Sequence, residues 1–165
     1  MRHFLAYFAT TLFLSGSAMA QSANIALGSG GFDPSMPVEV TADQFSVDQA
    51  SGEAVFDGNV LIAQGELRLS AGKVTIEYAE EGSENAISRL LASGGVTFVT
   101  SSDAAEAANA VYSVAQGTVT LSGDVLLTQG RNAIAGDRLV LNLEDGNGRM
   151  EGRVRTVFTP ADGGN

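Results

Sequence analysis

The chain has 165 residues, of which 19 are acidic and 9 are basic, and its formal net charge is −10. An acidic excess of this size argues against nucleic acid as a partner, because binding to phosphates needs clustered lysines and arginines. The chain has no cysteine and a single histidine, His3, so it offers no disulfide, no thiolate metal site and no cysteine–histidine nucleophile pair. We therefore expect no enzyme activity, no metal and no cofactor.

Residues 1–20 predict a cleaved signal peptide. Met1-Arg2-His3 supplies a positive start, Phe4 to Leu14 is mostly apolar, and Ala18-Met19-Ala20 matches a cleavage site. The apolar run is shorter than the ~20 residues that span a bilayer, which favours cleavage over a retained membrane anchor. The mature chain is then 21–165, exported, with 8 basic and 19 acidic residues and a formal charge of −11.

The mature chain is predicted to be all β between flexible ends. Residues 21–37 are rich in glycine, serine and alanine and contain two prolines, so we expect a flexible lead-in. From 38 to 158, short alternating or continuous runs of β-branched and aliphatic residues, separated by glycines, predict strands. Pro160 should stop the last strand and leave 159–165 as a flexible tail.

A two-part pattern recurs along the strand region. A leading element of small, polar and then alternating apolar residues begins at Ala42, Ala71, Ala107 and Gly136, at spacings of 29, 36 and 29 residues. A trailing Gly-x-Val begins at Gly58, Gly94, Gly123 and Gly152, at spacings of 36, 29 and 29 residues. A fixed period of this kind is typical of stacked β units. We predict a solenoid-like stack of β units with four repeats of about 29 residues.

Three further motifs are better explained as strands or turns than as catalytic or metal sites. Ser70 to Lys73 matches the Ser-x-x-Lys of serine acylases, but it falls on strand positions of the repeat. Glu80 to Glu84 lacks the ligand spacing of a calcium loop and accounts for the seven extra residues in one repeat, so we expect a hairpin tip. Glu144 to Gly148 contains Asp-Gly and Asn-Gly, which are typical of turns.

Several segments resemble a known family. Glu39 to Phe45 followed by Gly52 to Gly65 is similar to the start of the OstA-like domain, and Leu121 to Gly130 repeats its Gly-x-Val-x-x-x-Gln-Gly theme. Over 38–158 the chain resembles the LptA/OstA-like family of lipopolysaccharide transport proteins. The resemblance implies an open, twisted β-jellyroll of stacked antiparallel strands that lies in the periplasm and binds the lipid A part of lipopolysaccharide in its apolar interior. It also implies three partners: a second copy docked head to tail, an LptC-like inner-membrane protein and an LptD-like outer-membrane protein.

Alternation along the strands assigns apolar side chains to the inward face of this fold. The candidate lipid-contacting residues are Phe45, Val47, Val60, Ile62, Leu67, Leu69, Val74, Ile76, Phe98, Val125, Leu127, Leu139 and Leu141. For each of them, packing in a closed core is an equally open interpretation. The candidate head-group residues at the rim, with solvated surface as the alternative, are Arg68, Lys73, Arg131 and Arg138. Unpaired strand edges template the addition of another chain, and the candidate edge residues are Val38, Val40, Val154 and Val157.

Three other functions stay open from the sequence. A β-solenoid that binds polysaccharide would need clustered aromatic residues or paired acids, and the chain has no tryptophan. An LptC-like module would share the fold but keep a membrane anchor. A structural protein of the cell envelope with a closed core is also compatible with the sequence, and ligand binding would separate it from a lipid carrier.

Overall fold

The computed structural model describes residues 22–26, 36–79 and 87–159. The strands in these ranges are β1 (Ser22–Ala26), β2 (Glu39–Thr41), β3 (Gln44–Asp48), β4 (Glu53–Gln64), β5 (Leu67–Tyr78), β6 (Ile87–Val99), β7 (Asp103–Ser113), β8 (Thr118–Gln129), β9 (Asn132–Asn142), β10 (Asn147–Glu151) and β11 (Arg155–Val157). The predicted signal peptide, the hairpin tip at Glu80 to Glu84 and the tail from Pro160 lie outside the described residues. Within these ranges no helix has the length and apolar character to cross a membrane.

The strands form one antiparallel sheet in the order β1-β10-β9-β8-β7-β6-β5-β4-β2. From β4 to β9, each strand pairs with the next one along the chain. At one end, β2 and β3 pair with different halves of β4. At the other end, β10 and β11 pair with different halves of β9, and β1 adds one more strand beyond β10. The architecture is therefore an open stack of hairpins, as the sequence predicts.

Bulges interrupt the long strands near their middles. The ladder register shifts at three trailing motifs, Gly58-Asn59-Val60, Gly94-Gly95-Val96 and Gly123-Asp124-Val125. At Gly123 φ is +83°, and a Cβ atom there would lie 2.8 Å from the Cβ of Ala108. Glycine is required at such a position because it tolerates positive φ and allows close approach. Since bulges bend strands and increase their twist, the trailing motifs mark the points where the sheet folds.

The bends bring the two halves of the sheet face to face. Leu90 and Phe98 lie on either side of the bulge in β6, where a straight strand would separate them by about 26 Å, yet both line the same small cavity. We call half-sheet A the part that contains β3, β10, β1 and the turns at 49–52 and 114–117. Half-sheet B contains β2, β11 and the turns at 65–66 and 130–131. The two half-sheets enclose one core, which makes the fold an open β-jellyroll.

Inward side chains form continuous rows across the sheet, because residues paired on neighbouring strands share a face. One row of half-sheet A is Val47-Ala54-Ile76-Leu90-Tyr112-Val119-Leu141-Gly148-Ile25. The next row is Phe45-Phe56-Val74-Ala92-Ala110-Leu121-Leu139-Met150-Ala23. A row of half-sheet B is Val40-Ile62-Leu69-Phe98-Ala105-Leu127-Ile134-Thr156. These rows meet in one contiguous apolar core.

The ends of the sheet differ from the prediction in two ways. The expectation of a flexible lead-in is wrong for Ser22–Ala26, which forms β1 and buries Ile25 to 5% exposure. The candidate edge residue Val40 lies in β2, and this edge does not continue as one strand, because a break at Asp43 separates β2 from β3. There the Asp43 amide donates to Gly58 O (2.9 Å), and its carboxylate accepts from Asn59 Nδ2 (2.8 Å). The number of repeats stays a prediction.

Candidate functional site

The apolar residues singled out in the sequence share the inward face of the jellyroll. Nine of them are buried in the core: Val60, Leu67, Val74, Ile76, Phe98, Val125, Leu127, Leu139 and Leu141. Ile62 and Leu69 are half-buried and pack against this core. Phe45 and Val47 lie in the same rows but are 60% and 58% exposed, because β3 is at the end of the sheet. Contact with lipid stays a prediction for the whole set.

The interior contains a cavity of about 50 Å³ between the half-sheets. Its lining includes Ile62, Leu69 and Phe98 from half-sheet B and Leu90 and Tyr112 from half-sheet A. Sites for drug-sized ligands usually measure ~300–1,000 Å³. In this conformation the cavity is therefore too small for an acyl chain, and binding would require the half-sheets to move apart.

A larger recess of about 240 Å³ adjoins the cavity. The two share Val38, Gln64, Leu90 and Tyr112. We call the entrance to this recess the mouth and define it by Met36, Val38, Gln64, Tyr112 and Val114. The apolar side chains of Met36, Val38 and Val114 are 45%, 40% and 38% exposed, so the mouth presents apolar surface to solvent next to an apolar cavity.

Two polar side chains at the mouth, Gln64 and Tyr112, are uncharged. Gln64 Nε2 donates to Met36 O (3.1 Å) and holds the chain that precedes β2 against the end of β4. Burial raises the pKa of Tyr112 above its ordinary value, so its phenol is neutral at physiological pH. Gln64 and Tyr112 therefore carry no formal charge, whereas the exposed Glu144 lines the same recess.

The mouth lies on a seam between the half-sheets. All strand pairings among the described residues join neighbours along the stack, and none of them crosses the interior from half-sheet A to half-sheet B. Leu90 of half-sheet A and Phe98 of half-sheet B line one cavity between the half-sheets, and Gln129 Nε2 of half-sheet B donates to Ala26 O of β1 in half-sheet A. Widening the seam therefore costs side-chain contacts but breaks no ladder hydrogen bonds.

Two of the predicted head-group residues lie on the half-sheet B side of the seam. Arg68 is exposed at the start of β5 and lines the cavity entrance, and its guanidinium donates to Leu67 O (2.8 Å) and to Gly65 O. Arg131 is exposed in the turn between β8 and β9. Contact with a lipid head group stays a prediction for both arginines.

The prediction that Lys73 and Arg138 line the rim is wrong. Lys73 pairs with Asp57 and Arg138 with Glu151, all on the outward face in the middle of the sheet. Each is adjacent in sequence to a buried inward residue, and successive side chains of a strand point to opposite faces. Alternation alone could have excluded both residues.

Some contributors to the interior were not singled out in the sequence. Leu90, Val119 and Leu121 follow the same alternation as their neighbours, so the pattern could have identified them. Met150 is completely buried although it lies in a short polar run, and Ile25 belongs to the segment that composition marked as flexible. Only the paired strand β10 explains why both are buried.

The repeated Gly-x-Val-x-x-x-Gln-Gly theme also has a role that its sequence does not reveal. Gln64 and Gln129 end β4 and β8 at equivalent positions of half-sheet B. Gln64 Nε2 donates to Met36 O, and Gln129 Nε2 donates to Ala26 O (3.0 Å). Both glutamines thus hold backbone that comes from the N-terminal part of the chain.

Comparison with known proteins assigns the family. The sequence model of the LptA/(LptD N-terminal domain) lipopolysaccharide transport proteins matches residues 39–147. The chain belongs to this family. It is 27% identical over 144 residues to the lipopolysaccharide export system protein LptA of Escherichia coli K12, covering 78% of this chain and 74% of that protein. It is also 26% identical over 156 residues to an uncharacterized protein of Rhizobium meliloti, covering 89% of this chain and 84% of that one.

A solved structure supports the fold independently. The crystal structure of LptH, the LptA homologous periplasmic component of the lipopolysaccharide transport device of Pseudomonas aeruginosa, superposes with a TM-score of 0.67. The match covers 78% of this chain and 99% of LptH at 21% sequence identity. The open antiparallel jellyroll is therefore shared with this LptA homologue, and the chain is a member of a family of lipopolysaccharide transport proteins.

Proposed function

We propose that the chain carries lipopolysaccharide through the periplasm and shields the acyl chains of lipid A between its half-sheets. The observation that carries this proposal is the continuous apolar inward face, which reaches solvent at the mouth through Met36, Val38 and Val114. Keeping one CH₂ group from water is worth about 0.8 kcal/mol, so an acyl chain of ~12 methylenes would cost on the order of 10 kcal/mol to carry unshielded. A continuous apolar trough removes that cost without catalysis.

Entry of an acyl chain would occur by widening of the seam. No ladder hydrogen bond among the described strands joins the half-sheets across the interior, so opening would cost only side-chain contacts, including the bond from Gln129 Nε2 in half-sheet B to Ala26 O of β1 in half-sheet A. The half-buried Ile62 and Leu69 at the cavity would exchange side-chain contacts for contacts with the acyl chain. The side chains would lose apolar contacts with each other and gain apolar contacts with the acyl chain. Because both kinds of contact bury apolar surface, the net free-energy cost of opening is small.

The phosphates of lipid A would meet the arginines beside the seam. Arg68 and Arg131 lie on the same half-sheet, and guanidinium groups bind phosphate through paired hydrogen bonds. The mature chain has a formal charge of −11, so its overall field repels an anionic glycolipid. We therefore propose transfer from a docked neighbour in place of capture from solution.

End-to-end association would extend the trough. At the N-terminal edge β2 and β3 each pair only with β4, and at the other end β11 pairs only with β9, among the described strands. Residues 36–66 contain six acids and no lysine or arginine, whereas 131–155 contain five arginines and four acids. The first range has a net charge of −6 and the second a net charge of +1, so two N-terminal edges would repel each other, which favours head-to-tail docking.

The same edges would serve the membrane-bound partners. The family model covers both LptA and the N-terminal domain of LptD, so an LptD-like partner at the outer membrane could continue the sheet through an edge of the same fold. An LptC-like partner at the inner membrane would dock on the opposite edge. The predicted cleaved signal peptide would deliver the chain to the periplasm between them.

A second candidate function is a structural protein of the envelope with a closed core. The observation that favours it is the small size of the cavity, about 50 Å³, together with complete burial of Val74, Leu121 and Leu139. In this case the inward residues would pack only against each other, and the chain would bind no lipid.

Binding of intact and deacylated lipopolysaccharide separates these functions. We expect the purified mature protein to retain intact lipopolysaccharide and to bind the fully deacylated molecule at least tenfold more weakly, because the acyl chains supply the apolar contact. Equal binding of both would indicate recognition of polysaccharide. Binding of neither by the folded protein would favour the closed-core structural function.

A further inference from the structure

The N-terminal strand β1 occupies part of the edge that a second copy would use. It pairs along all five of its residues with β10, from Ser22 opposite Glu151 to Ala26 opposite Asn147. In half-sheet B, by contrast, β11 lies directly at the end of the sheet. Half-sheet A therefore extends one strand further than half-sheet B at this end.

This extra strand prevents a second copy from pairing with both half-sheets at the same time. At the opposite end of the molecule the two half-sheets end at the same level, because β2 and β3 both lie one strand beyond β4. If β2 of a second copy paired with β11, its β3 would have to occupy the place next to β10. With β1 present, the two half-sheets are offset by one strand spacing of about 4.8 Å, so both contacts cannot form together.

Strand directions lead to the same conclusion. Every pairing in the sheet is antiparallel, so if β4 runs up, then β9 runs down, β10 runs up and β1 runs down. Strand β3 is antiparallel to β4 and also runs down. In a continued sheet, β3 of a second copy would therefore add to β10 in the antiparallel sense but would meet β1 in the parallel sense.

Strands β1 and β3 place their inward side chains in the same rows, at opposite ends of the sheet. Val47 of β3 and Ile25 of β1 stand at opposite ends of one row, and Phe45 and Ala23 at opposite ends of the next. Both strands have five residues. On β10, Val47 of a second copy would replace Ile25 opposite Gly148, and Phe45 would replace Ala23 opposite Met150.

We propose that β1 is a self-capping strand, and that end-to-end assembly requires its exchange for β3 of a second copy. This rests on the proposed end-to-end association and names the step that controls it. Strand β1 carries no charge and is held by Ile25 and by the bond from Gln129 to Ala26 O. A tethered strand competes at an effective concentration on the order of mM, so an isolated chain remains capped. The pairing of β2 with β11 supplies the additional contact that favours exchange between docked copies.

A disulfide that locks β1 to β10 tests the exchange directly. Asn24 and Arg149 are paired on the outward face, and the chain has no native cysteine, so Asn24→Cys with Arg149→Cys would form a single defined bond. In sedimentation velocity over a concentration series, the oxidised protein should remain monomeric at concentrations where its reduced form and the single-cysteine controls assemble. Equal assembly of the oxidised and reduced forms would overturn the proposal.

Weakening β1 should have the opposite effect. Ile25→Asp places a carboxylate in the buried position of β1, whereas Asn24→Asp adds the same charge on the outward face of the same strand. We expect Ile25→Asp to assemble at a concentration at least tenfold lower than Asn24→Asp or the wild type. Unchanged or weaker assembly of a folded Ile25→Asp protein would contradict the proposal.

Lipopolysaccharide binding by the same proteins separates this proposal from the proposed function. If strand exchange is wrong but the carrier function is right, the locked and weakened variants retain acylated lipopolysaccharide like the wild type. Their assembly is then the same whether β1 is locked to β10 or weakened. If the carrier function is wrong, none of the proteins retains it. Absence of assembly in every variant, including Ile25→Asp, would overturn both end-to-end association and strand exchange.

Discussion

Replacing Ile62 with aspartate should reduce retention of lipopolysaccharide at least tenfold while the protein stays folded. Ile62 is half-buried and lines the cavity beside the mouth. An acyl chain bound there would bury the new carboxylate in apolar surroundings, which is costly without a partner. A penalty of about 1.4 kcal/mol already corresponds to a tenfold loss of affinity. The bound lipid in purified protein can be quantified by mass spectrometry.

Leu61→Asp is the matched control for this prediction. Leu61 is the neighbouring residue on the same strand, points to the outward face and is 41% exposed. The control therefore adds the same charge to the same strand without entering the trough. If both variants retained lipopolysaccharide equally, the acyl chains would not lie at the cavity, and the inward face at this point would be core alone.

Replacing Phe45 and Val47 together with aspartate should prevent end-to-end association. Both side chains are exposed in the isolated chain but would be buried opposite Met150 and Gly148 of a second copy, where two carboxylates would be desolvated. The monomer should lose only about 1 kcal/mol, chiefly from the contact between the rings of Phe45 and Phe56, whose centroids are 4.7 Å apart. We expect the concentration needed for assembly to rise at least tenfold in sedimentation velocity.

The control for the edge is Ser46→Asp, which lies between the two substituted residues on the outward face. It should assemble like the wild type, because its side chain stays in solvent in the assembled form. Normal assembly of the Phe45→Asp, Val47→Asp double variant would show that copies do not join through β3. Thermal unfolding of both variants would establish that any loss of assembly is not a loss of folding.

Much of the fold follows from local sequence patterns. Alternation in β5 and β9 predicts that Val74 and Leu139 point inward, and the structure buries both. The trailing Gly-x-Val elements are recognisable in the sequence as a repeat, and in the structure Gly58, Gly94 and Gly123 have positive φ at bulges. These features are predictable because each depends on residues that are close together in the chain.

The parts that could not be predicted depend on contacts between distant residues. Composition marks 21–37 as flexible, yet Ile25 is buried because Ser22–Ala26 adds to β10, more than a hundred residues later in the chain. The mouth brings Gln64 at the end of β4 close to Tyr112 at the end of β7, and this proximity arises only when the strands bend. The size of the cavity is likewise set by how the two half-sheets pack.

The most direct test of the account is photocrosslinking at neighbouring inward and outward positions. A photoreactive residue would replace Ile62 or Leu127 on the inward face and, in separate variants, Leu61 or Leu126 on the outward face of the same strands. After irradiation of cells, we expect lipopolysaccharide adducts at Ile62 and Leu127 and none at Leu61 or Leu126. Adducts at the outward positions, or none at the inward positions of a folded protein, would contradict an apolar conduit between the half-sheets.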